Sequence, residues 1–82
     1  MKTKSHLPLS IYGRGRKVVR GDGLIKMKEI AILADPKTLR EVAKFILEAA
    51  KAKEKIGANF GHRHLQDDWG GYNKKLPDII VA

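Results

Sequence analysis

The sequence predicts an α+β domain in which one long amphipathic helix packs on a small, mainly antiparallel sheet, in the order β-β-α-β-β. Three observations predict it. A long segment with helical apolar periodicity and signals at both ends occupies the middle of the chain; apolar runs of strand length set off by Gly-rich turns precede it; two shorter such runs follow it. With 82 residues the chain makes one domain. Folding at this size hides only about 60–65% of the surface that the unfolded chain exposes, so function is expected on an open face or groove.

Taken in order, "MKTKSHLPLS" is polar and reads as a loose start, "LSIYG" as a short strand, and "GRGR" as a turn. Residues 1–16 are therefore expected to form a flexible basic arm with at most a short strand, and 17–82 the folded domain. "KVVR" is the next apolar run, and "RGDGL" is a strong turn signal because Asp-Gly and Gly tolerate the positive φ of tight hairpins. In "LIKMKEIAILA", Ile25 and Met27 alternate with Lys26 and Lys28 before Ile30, Ile32 and Leu33 make a more continuous run. That pattern predicts a strand exposed on one face early and more buried later.

The helix follows from "ADPKTLREVAKFILEAAKAKEKIGANF". Asp35 is placed to cap its start, Pro36 fits the first helical position, and Gly57 stops it. Leu39, Val42, Ala43, Ile46, Ala49 and Ala50 fall on one expected core face with Phe45 and Ile56 flanking it, while Lys37, Glu41, Lys44 and Glu48 belong to a largely self-compensated charged face. "NFGHRHLQ" alternates as a strand does, "DDWGGYNKKLP" is turn-rich, and "DIIVA" after Pro77 reads as a closing strand.

Net charge is +8, but its distribution matters more than its size. Residues 1–20 hold Lys2, Lys4, Arg14, Arg16, Lys17 and Arg20 with no acidic residue, whereas residues 21–82 hold eleven basic and nine acidic side chains. The basicity belongs to the N-terminal segment. Arg14, Arg16, Lys17 and Arg20 could serve a nucleic-acid-binding arm, although Tyr12 is the one aromatic near them for base stacking. "YGRGRKVVRGDG" lacks the Gly-Lys-Thr/Ser ending of a phosphate loop and is not followed directly by a helix, so it is not a nucleotide motif. The absence of Cys excludes disulfides, thiol catalysis and Cys-based zinc sites and fits a reducing compartment. No run approaches the roughly 18 apolar residues of a membrane helix, and no apolar leader follows the first lysines, so a cytoplasmic protein without a membrane partner is expected.

Chemistry-bearing residues crowd into "FGHRHLQDDWGGYN". On a strand, His62 and His64 share a face, and Asp67 could curl back as a third metal ligand; this spacing lacks the further ligands of a strong metal motif. The same His with Asp67 as orienting acid, and Arg63 or Lys74 steadying a phosphate, would be the elements of a small hydrolase, but nothing nearby in sequence supplies a nucleophile. Paired His covering an open sheet face is the plainer alternative. Trp69 and Tyr72 beside Gly70 and Gly71 suit a binding loop, unless Trp69 folds back as a lid on a small core.

"GLIKMKEIAILADPKTLREVAKFILEAA", "FGHRHLQDDW" and "LPDIIV" together resemble a bacterial family of polymorphic-toxin systems, immunity protein thirty-two, over roughly residues 23–81. The strand-to-helix junction with Asp35, Pro36, Leu39 and Arg40, and the segment with His62, His64, Leu65, Gln66 and Asp67, carry the resemblance. It implies an α+β, non-enzymatic protein without a cofactor, which neutralises a cognate protein toxin in a heterodimer by direct binding and occlusion. Under that implication His62, Arg63, His64, Gln66, Asp67, Asp68, Trp69 and Tyr72 form the partner-binding patch. The basic charge departs from immunity proteins against nucleases, which are often acidic to match a basic target.

Overall fold

The computed structural model describes residues 7–19 and 24–82, with residues 16–19 described as backbone alone. Strands β1 (Leu9–Val19) and β2 (Ile25–Ala34) form an antiparallel hairpin. Helix α1 (Pro36–Ile56) follows β2 through Asp35 alone, and a single 3₁₀ turn (Gly57–Asn59) closes it. Then come β3 (Arg63–His64), the one-turn helix α2 (Leu65–Asp68) and β4 (Ile80–Val81), which pairs antiparallel with β3. The fold is α+β with strands before and after the long helix, as expected, although the sheet is divided into two two-stranded ladders.

The helix ends where its chemistry ends it. The Asp35 carboxylate accepts a hydrogen bond of 2.7 Å from the Thr38 amide, Pro36 opens the first turn where no amide donor is needed, and Gly57 leaves the helix at φ 69. Lys53 and Lys55 in the last turn face the negative end of the helix dipole.

The core joins three parts of the chain: Leu9 from the base of the hairpin, Val42 and Phe45 from α1, and Leu65 and Leu76 from the C-terminal segment. Leu9 and Leu65 are fully buried, and Ile11, Ala34, Trp69, Tyr72, Ile79 and Val81 pack around the cluster. This arrangement corrects three expectations. The buried helix face is Thr38, Val42, Phe45 and Ala49; Phe45 is central and not flanking, while Leu39, Ala43, Ile46 and Ala50 are exposed. The cause is that α1 turns its buried face to Leu65 and Leu76 as well as to the hairpin, so it covers only the hairpin's base.

For the same reason β2 does not become more buried along its length: Ile30, Ile32 and Leu33 are all exposed. Nor is "GRGR" a turn. β1 runs through it, paired with β2, and accommodates the glycines by register shifts between Arg14 and Gly15 and between Gly15 and Val19. A Cβ at Gly15 would lie 2.7 Å from the Lys26 carbonyl oxygen and 3.1 Å from the Met27 Cα, both backbone atoms, so the glycine serves a close cross-strand approach here.

Candidate functional site

The stretch around His62 is shorter as a strand than its alternation implies. Only Arg63 and His64 are extended against Val81 and Ile80; the chain then turns into α2. The Leu65 amide donates to the Ile79 carbonyl at 2.8 Å, and the next amide, Gln66, donates to the Asp78 side chain at 3.0 Å. A carboxylate thus takes over where the β ladder stops, satisfying an amide of the helix's first turn that His64, the N-cap residue, does not satisfy with its own side chain.

The other Asp78 oxygen lies 2.6 Å from His64 Nδ1. An ionised carboxylate only accepts, so Nδ1 carries the proton and the tautomer is fixed. Burial raises the Asp78 pKa, but the His64 hydrogen bond, the Gln66 amide, the His64 charge and the Ile79 amide outweigh it and hold the carboxyl below its ordinary value. His62 lies beside His64 as expected, with ring centroids 5.0 Å apart in an edge-to-face arrangement. The acid that orients His64 is therefore Asp78 and not Asp67. Sequence spacing hides this because the two residues are 14 positions apart. The antiparallel pairing of β3 with β4 is the signal that reveals it: once His64 is set opposite Ile80, position 66 faces position 78.

A second internal pair holds the opposite side. Arg63 and Asp68 are ion-paired at 2.9 Å across the one-turn helix. Trp69 is half-buried and packs against the core, and the Tyr72 hydroxyl donates to the Leu76 carbonyl at 3.1 Å. Both aromatics thus fold back toward the core, while part of Trp69 lines a cleft of about 330 Å³ with Glu41, Lys44, Phe45 and Glu48 of α1 and with Arg63 and Asp68. His62, Gln66 and Asp67 are exposed. The eight residues of the expected patch therefore occupy one contiguous stretch of chain, His62–Tyr72, with some members anchoring it and others displayed.

Among the described residues, no three His, Asp or Glu side chains gather as a metal cradle, so the alternative set of His62, His64 and Asp67 is not brought together. A His–carboxylate pair can orient a general base, but among the described residues no hydrogen bond joins it to Ser10, which sits on β1 opposite Leu33. Of the basic arm, Arg14 is exposed and ion-paired with Glu29 across the hairpin at 2.9 Å. Arg20 lies outside the described residues, as do the side chains of Arg16 and Lys17. Among the described residues no helix is long and apolar enough to cross a membrane.

No curated protein and no solved structure matches the chain. A family model, described as immunity protein 32, matches residues 29–81, which spans most of β2, the whole of α1 and the His62–Tyr72 stretch through to Val81. That is more than half of the 82 residues, and it takes in every residue of the core except Leu9. The chain belongs to the immunity protein 32 family.

Proposed function

We propose that this protein neutralises a cognate bacterial toxin in the cytoplasm by binding it directly, without catalysis, and occluding its active site or substrate path. The family is one of toxin-neutralising proteins, generally non-enzymatic. The observation that carries the reading to particular residues is the internally braced platform: Arg63–Asp68 and His64–Asp78 lock α2, and His62, Gln66 and Asp67 are presented from it beside the half-buried Trp69. A rigid surface with a partly desolvated aromatic is what a tight heterodimer uses, because little entropy is lost on binding.

The adjacent cleft adds a preference. It carries Glu41, Glu48 and Asp68 against Lys44 and Arg63, so a basic side chain from the toxin fits there beside Trp69. This removes the conflict between a chain of net charge +8 and a basic target, since the contact surface need not share the charge of the N-terminal segment. The test is to purify the untagged protein from its native host after nuclease treatment and moderate-salt washing, identify the bound polypeptide, and measure its affinity. Trp69→Ala and Gln66→Ala should weaken the complex by at least about tenfold and about threefold. Unchanged affinity in both would place the interface elsewhere.

A further inference from the structure

His62 and His64 bring two imidazoles together, and the way they are spaced and held is the way metal ligands are. Their ring centroids are 5.0 Å apart with the planes inclined at 72°. A metal ion lies about 2.0–2.1 Å from a ligating imidazole nitrogen and hence about 3.2 Å from the ring centre, so two imidazoles sharing one ion at about 90–110° have centres about 4.5–5.2 Å apart. The observed separation falls inside that window.

The protonation of the pair fits as well. Asp78 accepts the Nδ1 proton of His64, which leaves Nε2 as the nitrogen with a lone pair, and among the described residues that nitrogen has no hydrogen-bond partner. A carboxylate behind a histidine is the usual support of a metal ligand, because it fixes the tautomer and makes the free nitrogen a better electron-pair donor. Asp78 is itself held, since its other oxygen accepts from the Gln66 amide at 3.0 Å. His62 is exposed and, among the described residues, has no hydrogen bond or ion pair, so its ring can turn toward an ion without losing a polar contact. Arg63, between the two histidines in sequence, keeps its guanidinium on Asp68 at 2.9 Å and lines the cleft with α1.

We propose that His62 and His64 bind one divalent transition-metal ion through two imidazole nitrogens, Nε2 in the case of His64, with Asp78 as the orienting carboxylate and water in the remaining positions. Among the described residues no third His, Asp or Glu joins the pair. The site therefore differs from a triad of His62, His64 and Asp67: its carboxylate stands behind a ligand and not on the ion. Two neutral nitrogen ligands, with neither thiolate nor ligating carboxylate, favour Cu²⁺ over Zn²⁺ and both over the oxygen-seeking Mg²⁺. The proposal concerns the isolated chain and stands apart from toxin binding.

The test is calorimetric titration of the untagged, chelator-treated, full-length protein with cupric, zinc and magnesium chloride, together with nitrogen-15 NMR of the imidazole rings on adding Zn²⁺. The expected result is one ion per chain, Cu²⁺ held more tightly than Zn²⁺, no binding of Mg²⁺, and a Zn²⁺-induced shift at His64 Nε2. Asp78→Asn should weaken binding by about 10–100-fold, because the Asn amide group that then faces His64 donates to Nδ1 and moves the ring proton to Nε2. His62→Ala, which removes a ligand, should weaken it by more than about tenfold. His6→Ala, at the one remaining histidine, should leave it unchanged. A Kd above about 1 mM for both Cu²⁺ and Zn²⁺ overturns the proposal, as does binding that survives His62→Ala or is lost with His6→Ala. A shift at His64 Nδ1 in place of Nε2, or an affinity unmoved by Asp78→Asn, overturns it too. His62 is exposed and makes no hydrogen bond among the described residues, so His62→Ala should keep the wild-type circular dichroism and decides the matter even if Asp78→Asn loses structure.

Discussion

Replacing Asp78 by Ala removes one carboxylate that serves two donors, His64 Nδ1 at 2.6 Å and the Gln66 amide at 3.0 Å. Hydrogen bonds to a charged group contribute about 1.5–3 kcal/mol each when buried. Here the side chains of His64 and Asp78 are 27 and 20% exposed and Gln66 is exposed, so water takes up part of the loss. The lower end of the range for the two bonds is about 3 kcal/mol, and with that share taken up by water the expected destabilisation is about 2 kcal/mol. In a domain of this size about 1 kcal/mol moves Tm by about 4–8 °C, so thermal unfolding followed by circular dichroism at neutral pH should show a fall of about 8–16 °C. Asp78→Asn should recover part of this, because its carbonyl can still accept from Gln66. A fall of less than about 3 °C for the Ala variant would refute the bracing role of the carboxylate. The pH dependence provides a second check. The Asp78 pKa is lowered in the folded state, so the wild type's advantage is present in full above the unfolded value of 3.8 and is lost as pH falls through the folded value beneath it.

Leu65→Ala empties a fully buried site where α2 meets the core, and chemical denaturation should show a loss of about 2–5 kcal/mol, enough to leave much of a small domain unfolded. Gly57→Ala forces a side chain into φ 69 and should lower stability by about 1 kcal/mol in the same measurement, although no atom stands within 4 Å of the new Cβ. Asp35→Ala removes the cap on Thr38 and should reduce helix content and Tm, with Asp35→Asn retaining most of both. Trp69→Phe should keep most of the stability that Trp69→Ala loses and still weaken toxin binding, which calorimetry on the same two variants separates.

What the sequence discloses here is what local chemistry decides. Asp35, Pro36 and Gly57 bound the long helix because capping and backbone freedom act within a few residues, and all three do what their types imply. The hairpin pairing of the early strands and the closing strand after Pro77 are legible for the same reason. Which face of the helix is buried is a different matter. Val42 and Ala49 belong to the expected stripe, yet Leu39, Ala43 and Ile46 are exposed and Phe45 is central, because the competing apolar surface comes from Leu65 and Leu76, far along the chain. The "GRGR" segment misleads because glycine serves a close cross-strand approach as well as a turn. At the site, the proximity of His62 and His64 is read from alternation, whereas Asp78 as the partner of His64 depends on strand register that no local pattern gives.

The side chains of Arg63, His64, Asp68 and Tyr72 are tied to partners inside the molecule, while among the described residues those of Gln66 and Asp67 form no hydrogen bond or ion pair. Drift at positions 66 and 67 is therefore nearly free of folding cost. Substitutions there change the displayed chemistry one residue at a time while the internal pairs that hold the fold are kept. Under the proposed toxin-binding role, specificity can change at positions 66 and 67 without disturbing the residues that form the scaffold.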